Sequence, residues 1–181
     1  MIDAAYFEDS VLQLRKLKKL ADKAIGQTED QHLFVRLDPE ANSIALIMKH
    51  IAGNMRSRWT DFLTADGEKP DRNRDSEFEE ESETRAATLA TWEDGWNVMF
   101  RTLESLSAAD LEKTVYIRGE AHTVMQAIGR QMTHYASHVG QIVFLAKHFA
   151  GSRWKSLSIP RGKSKDFEVA KDGRPYNVEQ R

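Results

Sequence analysis

Two histidines stand four residues apart in the segment Gln131-Met132-Thr133-His134-Tyr135-Ala136-Ser137-His138. On a helix, side chains at that spacing share a face with Cβ atoms ~6 Å apart, so both imidazoles can reach one cation. Imidazole is a common ligand for borderline divalent metals, at ~2.0–2.1 Å for zinc. The spacing by itself is a frequent accident of helical sequence, and placement adds the weight. Positions 127, 131, 134, 138, 141 and 145 form one stripe, Ala-Gln-His-His-Gln-Leu, beside the apolar row Ile128, Met132, Tyr135, Val139 and Ile142. An imidazole at a core edge loses water and needs a partner, which a metal provides. A third histidine, His50, stands next to Ile51 in a second apolar row. His50, His134 and His138 are therefore the candidate metal ligands, and three imidazoles leave open positions on an ion.

Two polar residues are placed to orient such ligands. Asn54 follows His50 by one helical turn and Gln141 follows His138, each within reach of a ligand held at the histidines. No acid lies close in sequence to the three histidines, so no general base and no catalytic residue is assigned. His32 falls in a polar loop and His122 just ahead of the last helix, and neither takes a role. His148 shares the stripe with His138, but ten residues at ~1.5 Å rise put it ~15 Å along the axis, too far to join them. It reads as a partner of the helix C-terminal dipole.

The elements that must carry these residues are four helices. Residues 3–25 repeat Phe7, Val11, Leu14, Leu17, Ala21 and Ile25 at helical steps, with Gly26 as a stop. Residues 43–64 carry Ile44, Met48, Ile51, Met55, Trp59 and Phe62 behind a cap at Asn42 or Ser43. Residues 82–106 carry Leu89, Trp92, Trp96, Met99, Leu103 and Leu106. Residues 123–149 carry the histidine pair and end before Gly151. Four amphipathic helices bury their stripes most directly as an all-α four-helix bundle. Residues 1–150 form that bundle in this reading.

Residues 65–83, ADGEKPDRNRDSEFEEESE, read as a long, acidic, solvated link between the second and third helices. Thr114 to Ile117 favour strand and Arg118-Gly119-Glu120 can turn, so a short hairpin or extended loop precedes the last helix. Residues 151–181 form a basic tail with Arg153, Lys155, Arg161, Lys163 and Lys165. Either it is an anion patch or it lies across the bundle, anchored by Trp154, Leu157 and Ile159, and the anchored tail is the expectation.

Composition excludes several classes. The chain has 181 residues, enough for one domain, with 40% hydrophobic and 30% charged residues. A net charge of -2 gives no reason to expect nucleic acid. The absence of cysteine removes disulfides, thiolate metal sites and a cysteine nucleophile. The first twenty residues lack a charged region followed by an apolar run, so no signal peptide is expected. No stretch reaches the ~18 apolar residues of a membrane span. A cytoplasmic protein with no membrane partner is the resulting expectation.

The residues Met48-Lys49-His50-Ile51-Ala52 and His134-Tyr135-Ala136-Ser137-His138-Val139-Gly140-Gln141-Ile142 together resemble the DinB-like (YfiT-like) superfamily. The stretch Trp154-Lys155-Ser156-Leu157-Ser158-Ile159-Pro160-Arg161-Gly162 is similar to the tail of one branch with no assigned function. The resemblance spans nearly the whole chain. It implies a four-helix bundle, often a homodimer, with zinc or nickel held by His50, His134 and His138. It also implies two function classes. One is a metal-dependent transferase or hydrolase in which the ion activates a low-molecular-weight thiol or a water toward a small electrophile. The other is a non-catalytic, metal-stabilised, stress-related binding or scaffold protein. No residue matches a thiol-binding motif.

Overall fold

The structure is a computed structural model that describes residues 2–79 and 84–163. It is mainly helical with one small sheet. In chain order the elements are α1 (Ile2–Ile25), α2 (Asp30–Leu33), α3 (Ile44–Trp59), α4 (Arg85–Glu104), β1 (Thr114–Ile117), β2 (Glu120–Thr123) and α5 (Val124–Ala150). Caps of the expected chemistry start the long helices. Ser43 accepts from the Leu46 N–H, Thr84 from the Ala87 N–H, and Thr123 forms a reciprocal box with Gln126. Gly151, with φ of 56°, ends α5 in a conformation that favours glycine.

α3 packs along α4, and α1 along α5, while α3 and α5 meet on a second seam. α3 and α4 approach closely at Gly95, where a Cβ would stand 2.7 Å from the Ala52 Cα. The core is built on Trp59, Trp92, Trp96 and Tyr135, all fully buried, with Ile44, Met48, Ile51, Met55 and Met99 around them. Three of the buried aromatic tips are paired across helices, while the Trp96 indole N–H has no partner. Trp59 donates to the Tyr135 hydroxyl at 3.0 Å, and Tyr135 donates to Asn54 Oδ1 at 3.0 Å. Trp92 donates to Asp22 at 2.9 Å. No helix among the described residues is long and apolar enough to cross a membrane.

The expected short hairpin is present. β1 and β2 pair antiparallel with Ile117 opposite Glu120. Arg118 and Gly119 turn the chain with φ of 56° and 75°, two successive positive φ values that suit the strand twist. The second helix is shorter than its periodicity suggests. It ends at Trp59, because Thr60 is extended and Asp61 is left-handed, with φ of 49°. Phe62 still reaches the core and packs tilted against Trp59, so the apolar pattern runs on through a turn rather than a helix.

The link after α3 departs most from the sequence expectation. Residues 65–79 are not a solvated strand of charges but a folded segment laid on α3. Asp66 accepts from the backbone N–H groups of Glu68, Arg118 and Gly119, and the Gly67 N–H donates to the Tyr116 carbonyl. Glu68 takes both Arg74 nitrogens at 2.8 and 2.6 Å, with Arg58 and Arg72 close behind. The segment ends in a 3-10 turn, Asp75–Phe78, whose Glu77 is buried. Charge composition suggests solvation, but here Glu68, Arg72, Arg74 and Glu77 pair with each other and with Arg58 and His50 of α3, while Asp71, Asp75 and Glu79 are exposed. Residues 80–83 lie outside the described residues.

The start of the basic tail lies against the end of α1. Arg153 bonds Glu29, and the backbone of Lys155 exchanges two hydrogen bonds with Gln27. Trp154 and Leu157 pack on the core, whereas Ile159 is 38% exposed and anchors nothing. Lys165 and the rest of the tail from residue 164 lie outside the described residues.

Candidate metal centre

His50 projects from the middle of α3, and His134 and His138 from the middle of α5. The two helices run past each other there, and the three rings meet edge to face, with centroids 4.7 to 5.4 Å apart. The Nε2 atoms of His50 and His134 are 3.3 Å apart, and those of His138 and His134 are 3.1 Å apart. One ring nitrogen from each histidine lies within 4.8 Å of the others. Donors bound to one ion at ~2.0–2.1 Å stand about 2.8–3.4 Å apart, for angles between square and tetrahedral. The two short separations fall in that range.

The outer ring nitrogens decide the protonation. His50 Nδ1 is 2.9 Å from Glu77 Oε2, and His138 Nδ1 is 2.8 Å from Gln141 Oε1. A carboxylate and an amide oxygen only accept, so both Nδ1 atoms carry the proton. The Nε2 atoms of His50 and His138 are then lone pairs, and both face His134 Nε2. One N–H on His134 can satisfy only one of them. At least one Nε2 acceptor is then left without a donor, and a cation among the three rings would satisfy it. The donor set thus fits a divalent ion of borderline softness.

The electrostatics favour the neutral form of the two α5 rings, His134 and His138. Burial, then the neighbouring His138 and His50 and the more distant Arg58 and Arg72, push the His134 pKa down to about 4. Burial also lowers that of His138, against the bond to Gln141. Burial disfavours the charge of Glu77, but the His50 and Arg72 hydrogen bonds and the Arg72 charge outweigh it, and its carboxyl stays below the usual range. Neutral imidazoles backed by an anionic acceptor are the form that binds metal.

The structure gathers some of the sequence candidates and separates others. Gln141 touches His138. Asn54 instead turns into the core, where its Oδ1 accepts from Tyr135. His32 stacks on Phe149, His122 bonds the Glu120 carbonyl, and His148 lies exposed in the last turn of α5. Two neighbours of His50 escaped the sequence reading. Glu77 and Phe78 come from the link, and Phe78 stacks on the His50 ring at 4.8 Å between centroids. Sequence distance hid them, since 27 residues separate Glu77 from His50. A cleft of about 530 Å³ opens beside Gln141, between Ile47 on α3 and Ser137, Gly140 and Phe144 on α5.

No curated protein and no solved structure matches the chain. A family model does, described as a protein of unknown function (DUF1572), and it matches residues 1–163, which take in all three histidines and Glu77. On that match, which covers most of its length, the chain belongs to the DUF1572 family.

Proposed function

We propose that this chain binds one divalent metal ion, zinc or nickel, through His50, His134 and His138 in a four-helix bundle of the DinB-like kind. The observation that carries this reading is the convergence of two Nε2 lone pairs on the Nε2 of His134. Such a centre with open positions supplies Lewis acidity, which lowers the pKa of a bound thiol or water toward neutrality. The chain is then a metal-dependent transferase or hydrolase acting on a small electrophile, with a low-molecular-weight thiol or water as nucleophile. Within the protein, His50 and His138 keep their protons on Nδ1 and present Nε2. Gln141 holds His138 in that tautomer, and the cleft beside it offers room for a small substrate. A homodimer in solution goes with this reading.

One observation favours the non-catalytic alternative. Glu77, the acid beside the cluster, has both oxygens engaged by His50 and Arg72, so it is not free to take a proton from a nucleophile. A metal there would lock α3 to α5 and act as part of the fold. Elemental analysis tests the metal itself. Wild-type protein is expected to carry about one divalent ion per chain, and His138→Ala to lose most of it. Unchanged stoichiometry in the variant overturns the assignment. A screen of the metal-loaded protein against thiols and activated esters then separates enzyme from scaffold.

A further inference from the structure

The link between α3 and α4 reaches the histidine cluster through one turn. Asp75–Phe78 presents two successive side chains to His50. Glu77 Oε2 accepts the Nδ1–H at 2.9 Å, and Phe78 covers a face of the same ring. From the other side Arg72 clasps the carboxylate, with Nε on Oε1 at 2.8 Å and Nη2 on Oε2 at 2.9 Å. The Arg72 side chain is only 5% exposed, so if Glu77 swings away the guanidinium loses both of these bonds and keeps only its longer approach to Glu68 at 3.6 Å. The room for this approach comes from α3. A Cβ at Gly53 would stand 2.5 Å from Glu77 Oε1 and 2.9 Å from its Cδ. Glycine inside a helix is unfavourable relative to alanine, and here the missing side chain is what lets the carboxylate lie against the helix.

We propose that Glu77 is a positioning residue of the metal centre: seated against Gly53 and clasped by Arg72, it holds the Nδ1–H of His50 and so aims Nε2 at the point shared with His134 and His138. The link is then part of the centre rather than a spacer. A carboxylate behind a metal-binding imidazole fixes its tautomer and raises its basicity, and removing such a partner weakens metal binding by about 10–100-fold. The inference rests on the metal reading above, and the test separates the two.

Zinc is the probe, titrated against a competing chelator into wild type, Glu77→Gln and Gly53→Ala. Glu77→Gln is expected to bind about 10-fold or more weakly. Gly53→Ala keeps every ionic group and improves helix propensity, yet pushes the carboxylate off Nδ1, and a loss of similar size is expected. The same two variants are read by the visible spectrum of the cobalt-substituted protein, which shifts when the His50 donor is displaced. A Glu77 that serves only the fold predicts lower unfolding midpoints, with zinc affinity within about threefold of wild type and an unchanged cobalt spectrum. That result overturns the proposal. Should Glu77→Gln fail to fold, Gly53→Ala decides alone. A wild type that binds no zinc instead overturns the metal reading itself.

Discussion

Tyr135→Phe removes one oxygen from the centre of the molecule, and its cost can be worked out from two hydrogen bonds. The Tyr135 hydroxyl accepts from Trp59 Nε1 and donates to Asn54 Oδ1, each at 3.0 Å. The residue is 0% exposed, and Trp59 and Asn54 are also buried. Phenylalanine therefore strands one buried donor and one buried acceptor, with no room for a water in place of a single oxygen. Each stranded group costs about 1–3 kcal/mol, partly offset because the phenol no longer has to be desolvated, so a loss of about 2–4 kcal/mol is expected. For a chain of this size that lowers Tm by roughly 5–15 °C. Urea unfolding followed by tryptophan fluorescence measures it, with the midpoint expected to fall by about 1–2 M. Metal affinity should not move, because Tyr135 faces the core while its neighbour His134 faces the cluster. A loss below about 1 kcal/mol would refute the reasoning, since the Trp59–Tyr135–Asn54 chain would then carry no weight. The same logic sorts Asn54. If it serves the core, Asn54→Leu loses stability and keeps zinc affinity; a ligand-orienting Asn54 would lose affinity first.

Gly95→Ala puts a Cβ 2.7 Å from the Ala52 Cα, and this clash with a backbone outweighs the gain in helix propensity. A net loss of about 1–2 kcal/mol is expected, seen as a Tm lower by roughly 3–7 °C. Acid should weaken the metal-free protein through His134. Its folded pKa is about 4 against an ordinary value of ~6.5, so the unfolded chain takes the proton first. Stability from this group is full above ~6.5 and falls as the pH drops toward 4. Metal-free His134→Gln should show a shallower fall in urea midpoint over that window, and identical slopes would refute the assignment.

The four long helices are legible because their apolar residues recur at 3.6-residue spacing and some ends are marked, by Ser43 before α3 and Gly151 after α5. The histidine cluster was legible for the same reason, since His134 and His138 lie on one face and His50 beside the core stripe of another helix. What the pattern does not carry is the local backbone that ends α3 and the pairing of polar groups across distant segments. The end of α3 is decided by the backbone at Thr60 and Asp61, while Phe62 keeps the apolar pattern going and hides the break. Glu77 and Arg72 look like solvated charge in the sequence because composition cannot tell a paired buried carboxylate from a free one. Asn54 sits at the right helical position to face the cluster, but Tyr135 on another helix claims it. The sequence does hold one trace of the link's docking: Gly53, one turn after His50, interrupts a helix that has no local need of a glycine.

His50 and His134 lie 84 residues apart in sequence, yet their ring nitrogens nearly touch. A cation held between them is in effect a reversible cross-link closing that loop. Closing a loop of this length removes more freedom from the unfolded chain than a local clip would. Because the longer loop costs more entropy to close, this contact is expected to form after the nearer α3–α4 contacts. Interactions absent from the folding transition state slow unfolding without hastening folding. An ion at this place would therefore show itself less in how fast the chain folds than in how long it stays folded.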